Sequence, residues 1–253
     1  MTERTAPYGK IALVTGASRG IGRANAARLA ADGVLVIVHY REQRRGAEET
    51  VGAIERAGGR AVIVEGELSS TAGVSRLCDR LDAALDGRPL DILVNNAGIG
   101  GGGRIAQVSE DMFDALFATN VKGLFMLTQA LLPRIANGGR IINVSSMVAL
   151  AAYPGSIAYA MTKAAVNSFT KSLAAEVGSR AITVNAVAPG ATATDFIAPI
   201  LAKPDLAEFY AKQAALGRIG QPEDISGVVA FLASDDAAWI TGQVVQASGG
   251  MHL

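Results

Sequence analysis

The stretch KIALVTGASRGIGRANAARLAAD, residues 10–32, decides the fold of this chain. It opens with an apolar run at 10–16 that does not alternate with polar residues, which is typical of a strand buried on both faces. It closes with a helix-length segment at 21–32, and three glycines lie between the two. A buried strand that passes through a glycine turn into a helix predicts the first unit of an α/β sheet.

The same alternation of apolar run and helix-length segment continues through the chain. Parallel strands joined by helical crossovers follow from it, so we predict an α/β fold: one doubly wound parallel sheet of seven strands, with helices on both faces, in a single domain over residues 1–253. The predicted strands lie at 10–16, 34–40, 61–66, 91–98, 140–146, 181–190 and 243–250, and the first helices lie at 21–32, 42–58 and 70–86.

The segment at about 191–221 interrupts this alternation. Long excursions in compact folds are usually functional, so we predict that it covers the substrate. In such sheets ligands bind beyond the carboxyl ends of the strands. The residues that directly follow each apolar run are therefore the candidates for a functional site.

Composition narrows the classes of function. Lys+Arg and Asp+Glu are equal at 23 each, so no net basic field favours nucleic acid or an anionic membrane. We find no long apolar run free of charge or glycine and no apolar leader in MTERTAPYGK, which predicts neither a membrane span nor a signal peptide. Cys78 is the single cysteine, which favours a reduced, cytoplasmic setting. The sequence predicts no metal site.

The glycine turn TGASRGIG, residues 15–22, is suited to a dinucleotide. Gly16, Gly20 and Gly22 allow a tight turn and a close approach of the backbone to a pyrophosphate, and the following helix directs its amides at the anion. Ser18, Arg19 and Ile21 belong to the same turn. The alternative is a plain strand-to-helix turn without a ligand.

The second predicted strand ends in HYRE, residues 39–42. An acidic residue here would bind the adenosine ribose of NAD, but Tyr40 occupies the place and Arg41 follows it. Arg41 and Arg19 suit a 2′-phosphate, because a guanidinium can donate two parallel hydrogen bonds to it. We therefore expect NADP(H) in preference to NAD(H). Alternatively, Arg41 is a solvated residue that opens a helix, and we expect His39 to be structural or near the adenine.

A tyrosine and a lysine lie one helical turn apart, at Tyr159 and Lys163, and Ser146 ends the fifth predicted strand. They could be two side chains on a helix rim. As a catalytic set, Ser146 would hold a substrate oxygen and Tyr159 would exchange its proton, while the Lys163 ammonium would lower the pKa of the phenol. The hydride would come from a nicotinamide.

These motifs resemble the short-chain dehydrogenase/reductase family over about residues 8–253: TGASRGIG, NNAG (95–98), Ser146 with Tyr159 and Lys163, and APG (188–190). The resemblance implies a Rossmann-type fold and a homotetramer with the last helix and strand at a subunit interface. It implies a proton-relay role for Asn120 in FATNVKG. The cofactor contacts that it implies involve Asn95, Ala97, Gly98, Pro189, Gly190, Thr192 and Thr194. Glu67 and Leu68 stand where the family often has Asp-Val beside the adenine.

The substrate remains open at this point. The segments 147–157 and 194–202 are mostly apolar, which favours a hydrophobic ketone or its secondary alcohol, although they could simply pack the covering segment. Within the family, the chain resembles 3-oxoacyl-[acyl-carrier-protein] reductases and glucose-dehydrogenase-like members. Asn137 and Ala175 stand where carrier-dependent reductases place basic residues, which weakens a carrier-protein partner. A 3-oxoacyl thioester of a carrier protein or of CoA stays open as the alternative substrate. A more remote alternative is a non-catalytic dinucleotide-sensing regulator.

Overall fold

The computed structural model describes residues 9–252. Its strands are β1 (Ile11–Val14), β2 (Leu35–Tyr40), β3 (Arg60–Glu65), β4 (Leu90–Asn95), β5 (Ile135–Val144), β6 (Thr183–Pro189) and β7 (Val244–Ala247). Its helices are α1 (Gly20–Ala31), α2 (Arg44–Arg56), α3 (Thr71–Leu85), α4 (Glu110–Phe117), α5 (Leu124–Leu131), α6 (Ile157–Val177), α7 (Ala198–Leu201), α8 (Pro204–Gln213) and α9 (Pro222–Ala233).

Within the described residues the strands form one seven-stranded sheet in the order β3-β2-β1-β4-β5-β6-β7, and every pairing is parallel. The chain leaves β3 at one edge and continues with β4 on the far side of β1. The order of the strands therefore reverses between β1 and β4, where such sheets leave a crevice for a ligand. The predicted Rossmann-type fold is confirmed.

Alternate residues of the central strands supply two separate cores. Ala12 and Val14 of β1 pack on the face covered by α1, α2 and α9. Ile11 and Leu13 pack on the face covered by α3, α5 and α6. Successive side chains of a strand point to opposite faces, so a strand buried on both faces has to be apolar throughout, which explains the unbroken apolar runs of the sequence.

The fifth strand differs most from its predicted bounds of 140–146. It begins at Ile135, which pairs with Leu90, and the register shifts before Ile92 pairs with Arg140. Gly138 has a φ of 78°, a conformation that suits glycine and that lies within this irregular segment. The extra residues precede the buried part of the strand and leave its carboxyl end in place.

By length and composition alone, the helical stretch Glu110–Arg134 could cross a membrane, with a mean hydropathy of 1.3. The sequence-based expectation of no such segment missed it, because its charges and Gly123 interrupt the apolar run without interrupting the helix. In the fold, Leu127 and Leu131 of this stretch are fully buried in the core beneath the sheet. In all, 39% of the apolar window is buried, and its buried leucines belong to the core.

The segment after β6 carries a 3₁₀ turn at Asp195–Ile197, then α7 and α8. It returns to the body of the fold at Gly220, whose amide donates to the carbonyl of Ala191 at 2.9 Å. Residues between Thr194 and Tyr210 line the large cavity at the carboxyl end of the sheet. That this segment covers a substrate remains a prediction.

Candidate active site

A cavity of about 750 Å³ lies at the carboxyl end of the sheet. Its walls come from the segments that directly follow the first six strands, including the long segment after β6. The predicted residues in its lining are Gly16, Ser18, Arg19, Gly20, Ile21, Gly22, Tyr40, Arg41, Glu67, Leu68, Ala97, Gly98, Ser146, Tyr159, Lys163, Pro189, Gly190, Thr192 and Thr194. The structure thus brings nearly the whole predicted set together.

The glycine turn packs too closely for side chains. Gly16 and Gly20 have φ values of 63° and 54°, in the left-handed region that favours glycine. A Cβ on Gly22 would lie 2.5 Å from Nδ2 of Asn96, which itself donates to the carbonyl of Thr15 at 2.8 Å. The turn therefore offers bare backbone to the cavity, and α1 begins in it, with its unpaired amides facing the same space.

Thr15 and Asn96 were missing from the predicted set, although both belong to quoted motifs. The Thr15 hydroxyl accepts from the backbone amides of Asn96 and Ala97, at 2.9 Å each, and donates to the carbonyl of Val94 at 3.3 Å. These bonds join the turn after β1 to the end of β4 at the crevice of the sheet. We infer that both residues shape the cavity wall rather than act chemically.

His39 supports the same turn from below. Its Nδ1 accepts from the amide of Gly16 at 3.1 Å, and its Nε2 lies 3.2 Å from the carbonyl of Gly66. These partners require a neutral ring with its proton on Nε2. Burial lowers the pKa of His39 to about 4, against the opposing effects of the Gly66 bond and Glu67. This placement agrees with the structural role expected for His39.

The adenosine end of the cavity contains more carboxylates than expected. Arg41 lies 2.7 Å from the carboxylate of Glu42 and 3.7 Å from that of Glu67. Arg19 pairs with Asp195 at 3.3 Å. The 2′-phosphate site expected from Arg19 and Arg41 therefore contains carboxylates as well, because Glu42 follows Arg41 directly and the parallel neighbour β3 brings Glu67 alongside.

Glu67 stays ionised in this cluster. Burial opposes its ionisation, but hydrogen bonds from Ser69 and the charge of Arg41 outweigh it and lower the pKa of the carboxyl. The hydroxyl of Tyr40 lies 3.4 Å from the Glu65 carboxylate, and the Tyr40 ring is buried. Arg19 is thus held by one carboxylate and Arg41 by two, and an anion can displace such exposed pairs at small cost.

Asn95 lies outside the cavity lining. Its amide donates to the hydroxyl of Thr128 at 3.0 Å and to Oδ1 of Asn143 at 2.9 Å, and Asn143 donates in turn to the hydroxyl of Thr170 at 2.9 Å. This buried network ties α5, two central strands and α6 together. The structure therefore gives Asn95 no direct contact with the cavity, and its predicted cofactor contact lacks a geometric basis.

Ser146, Tyr159 and Lys163 converge on one wall. Ser146 follows β5, and the other two lie on one face of α6. The hydroxyl of Ser146 hydrogen-bonds the Tyr159 phenol. The ammonium of Lys163 donates to the carbonyl of Val144 at 2.8 Å and lies 5.7 Å from the centre of the Tyr159 ring. The spacing in the sequence thus produces the expected cluster.

Burial shifts the two titrating groups in opposite directions. It raises the pKa of Tyr159 from 10.0 to about 12, with the Ser146 bond acting against it, and it lowers the pKa of Lys163 from 10.5 to about 8. The expected lowering of the phenol pKa by the ammonium is therefore not found.

Asn120 lies in a π-helical stretch, Ala118–Gly123, between α4 and α5. Its Oδ1 accepts from the amide of Ile99 at 2.9 Å, and its Nδ2 donates to the carbonyl of Ile99 at 2.9 Å. A Cβ on Gly98 would lie 3.1 Å from Asn120 Oδ1 and 3.6 Å from the Lys163 ammonium. The side chain of Asn120 thus fixes the cavity wall next to Lys163. The proton relay through the Asn120 backbone remains a prediction.

The turn after β6 closes the opposite wall. Gly190 donates to the carbonyl of Ala247 at 3.0 Å, and a Cβ on it would lie 2.8 Å from Cα of Ser248. The hydroxyl of Thr192 donates to the carbonyl of Gly190 at 3.0 Å, and that of Thr194 donates to the carbonyl of Thr192 at 3.3 Å. The ASGG segment at 247–250 therefore supports the turn that holds the predicted nicotinamide contacts.

Comparisons with known proteins agree with this geometry. A family model described as enoyl-(acyl carrier protein) reductase matches residues 16–252. A 3-oxoacyl-[acyl-carrier-protein] reductase of Synechocystis sp. is 40% identical, over 98% of this chain and 99% of the relative.

Two solved structures are similar over nearly their whole length. The promiscuous reductase LugOII, which catalyses keto-reduction at C1 during lugdunomycin biosynthesis, is 44% identical, with a TM-score of 0.93 over 97% of this chain and 99% of its own. The angucycline C-6 ketoreductase LanV with bound NADP is 44% identical, with a TM-score of 0.92 over 96% of each chain.

Fold and site together define the class: an α/β oxidoreductase built around a dinucleotide site. The chain belongs to the short-chain dehydrogenase/reductase family.

Proposed function

We propose that this protein is an NADP(H)-dependent oxidoreductase that interconverts a ketone and a secondary alcohol, with a hydrophobic small molecule as substrate. The observation that carries the proposal is the convergence of Ser146, Tyr159 and Lys163 on the cavity that the glycine turn also lines. A proton donor and a bare-backbone anion site then share one space, as hydride transfer to a carbonyl requires.

The residues present fit a dinucleotide. The glycines of the turn are too crowded for side chains, and the first amides of α1, which have no partner within the helix, are left for a pyrophosphate. Arg19 and Arg41 would hold a 2′-phosphate by displacing Asp195 and Glu42, which is the basis for preferring NADP(H) over NAD(H). Thr192 and Thr194 would contact the nicotinamide end. LanV, 44% identical, has NADP bound, which supports this choice.

The chain's own residues would manage the proton. The cofactor supplies the hydride that goes to the carbonyl carbon. Ser146 would donate a hydrogen bond to the carbonyl oxygen, and the Tyr159 phenol would transfer its proton to that oxygen as the charge develops. The pKa of about 12 keeps the phenol protonated at neutral pH, so it is ready as the donor. Lys163, charged below a pKa of about 8, would stabilise the phenolate left behind.

Apolar side chains favour a hydrophobic ketone. Met147 and Val148 from the first predicted lining segment, and Ile197 and Ile200 from the second, lie in the cavity wall. LugOII and LanV are keto-reducing enzymes by name, which supports the same substrate class.

A 3-oxoacyl thioester is the second candidate, supported by the relative from Synechocystis sp.. Against it, Asn137 stands where a basic residue would meet a carrier protein, and its Oδ1 accepts from Arg180 at 3.0 Å. Arg134, nearby in the sequence, is held by both carboxylate oxygens of Asp82. Asp82 therefore offsets the charge of Arg134, whereas Arg180 keeps its charge because its hydrogen-bond partners are neutral oxygens.

We further propose that the chain acts as a single domain, that residues 191–221 cover the substrate, and that the enzyme is a cytoplasmic homotetramer. The position of residues between Thr194 and Tyr210 in the cavity lining supports the covering role.

A substrate panel tests the proposal. Oxidation of NADPH is followed at 340 nm with aryl ketones, acetoacetyl-CoA, an acetoacetyl carrier protein and sugars. We expect turnover with the apolar ketones and weak turnover with the carrier protein. Preference for the carrier protein would select the second candidate. NADPH binding without turnover of any compound would select the regulator. A lower dissociation constant for NADH than for NADPH would refute the role of Arg19 and Arg41.

A further inference from the structure

Phe196 is an apolar ring that the fold leaves exposed beside the reacting groups. It lies in the 3₁₀ turn Asp195–Ile197 of the covering segment, and 56% of its surface is accessible. It is also one of the residues that line the cavity. A large exposed hydrophobic side chain that faces a cavity is a candidate contact for a ligand.

The ring is held against Gly100 on the opposite wall. A Cβ on Gly100 would lie 2.5 Å from Cε2 of Phe196 and 3.2 Å from its Cε1, so any side chain there would displace the ring. Gly100 is absent from the glycines with positive φ, so its backbone does not require glycine. Glycine at position 100 therefore leaves room for a neighbouring group, and the Phe196 ring occupies that room.

The same ring lies next to the proton donor. The centres of the Phe196 and Tyr159 rings are 5.8 Å apart, and their planes are tilted by 44°. The wall that carries Gly100 is fixed independently, because Gly103 donates to the carbonyl of Gly155 at 2.7 Å, just before α6. Phe196 therefore presents an aromatic surface at a defined position close to the phenol.

We propose that Phe196 is a specificity-determining residue that selects ketones with a flat aromatic ring adjoining the carbonyl, and that Gly100 holds it in place. The inference rests on the proposed function, since the carbonyl is taken to lie at Tyr159. An aryl ring beside that carbonyl gains an offset or edge contact with Phe196 in addition to the free energy of the apolar area it buries. An aliphatic chain gains only the free energy of burying its apolar surface.

The first test compares two ketones in Phe196→Leu and in the matched control Phe231→Leu, an exposed phenylalanine of α9 that lies outside the cavity lining. For 1-tetralone we expect Phe196→Leu to lose about 3- to 10-fold in kcat/KM, mainly through KM. For ethyl acetoacetate the change should stay within about 2-fold. Phe231→Leu should match wild type. Equal losses on both ketones, no loss on either, or a wild-type preference for ethyl acetoacetate would refute the proposal.

The second test probes the Gly100 contact. Gly100→Ala should lose the same aryl preference, because it displaces the ring, whereas Gly100→Ala in a Phe196→Ala background should cost little more than Phe196→Ala alone. Additive losses would mean that the two residues act separately.

A binding measurement separates failure of this inference from failure of the proposed function. The affinity of 1-naphthol, a flat ring that cannot be reduced, is measured on the NADP⁺ complex of wild type and of Phe196→Leu. A several-fold weaker affinity in the variant supports the ring contact even if neither ketone turns over. An unchanged affinity refutes it whether or not the enzyme is active.

Discussion

At the residue scale, a buried neutral histidine sustains the glycine turn. His39 accepts from the Gly16 amide, and a protonated ring could not do so. The ring therefore couples the shape of the cofactor site to pH, although it takes no part in the proposed chemistry.

This coupling predicts a loss of stability in mild acid. The pKa of His39 is lowered to about 4 in the fold and is near 6.5 in the unfolded chain, so between these values the unfolded state binds more protons. The free energy of unfolding should fall as pH falls from about 6.5 toward 4, by roughly 3 kcal/mol from this one group. Urea titrations across that range measure it.

The control uses the other histidine of the sequence. His39→Gln should flatten this part of the pH profile, and His252→Gln, at an exposed position, should leave it as in wild type. An unchanged slope in His39→Gln would contradict the assignment.

Residues of the site differ in how far the sequence predicts them. Tyr159 and Lys163 could be placed on one face because helical spacing alone decides it, and Ser146 followed from the end of a strand. The bonds of Thr15 with Asn96 and the contact of Phe196 with Gly100 join residues far apart in the chain, and no local pattern encodes them. The burial that sets the pKa values of Tyr159 and Lys163 is likewise a property of the assembled cavity.

At the element scale, the unit formed by β1, the glycine turn and α1 works through close packing. Gly22→Ala would place a Cβ 2.5 Å from Nδ2 of Asn96 and closer still to the backbone of Gly16, so the turn would have to shift. We expect the affinity for NADPH to fall at least about 10-fold, the loss of roughly one hydrogen bond to a charged phosphate. Isothermal titration of NADPH measures it.

Gly227→Ala is the matched control for this variant. Gly227 lies inside α9, and a Cβ there would meet no atom within 4 Å. The change should leave the NADPH affinity as in wild type and stabilise the fold by about 0.5–1 kcal/mol, because alanine is the better helix former. Equal affinities in the Gly22→Ala and Gly227→Ala variants would refute the close-packing role of the turn.

The bounds of an element were predictable where the local hydrophobic pattern sets them, and less so where contacts with distant residues set them. Helix α1 lies within one residue of its predicted bounds, since the glycine turn and Asp32 delimit it. At its early start β5 pairs with Leu90 of a different strand, and Asn120 in the π-helical stretch bonds to Ile99, far from it in the chain. Neither could be inferred from the local sequence.

At the scale of the whole molecule, the order of the strands follows from general rules. Right-handed crossovers between parallel strands and a single reversal after β3 place the ends of the first six strands around one crevice. Alternation of strand and helix sufficed to predict a doubly wound parallel sheet, and the order of its strands came from the structure. The way in which copies of the chain associate is not encoded in that alternation.

The proposed homotetramer makes a prediction about Trp239, the single tryptophan of the sequence. It lies between α9 and β7, the elements expected at a subunit interface, and it is 99% exposed in the isolated chain. Light scattering should give four times the 26.0 kDa chain mass, and acrylamide should quench the Trp239 fluorescence weakly. A particle of one chain mass with strongly quenched fluorescence would contradict the assembly.

The central claim is that the Tyr159 phenol donates the proton to the substrate oxygen. The most direct measurement is NADPH consumption with the best ketone of the panel in Tyr159→Phe, alongside the NADPH dissociation constant of the same variant. The account predicts that kcat falls by about 10²–10⁴, the usual worth of a positioned general acid, while the NADPH affinity stays within about 3-fold of wild type. A variant that binds NADPH normally and retains more than about a tenth of the wild-type kcat would contradict it.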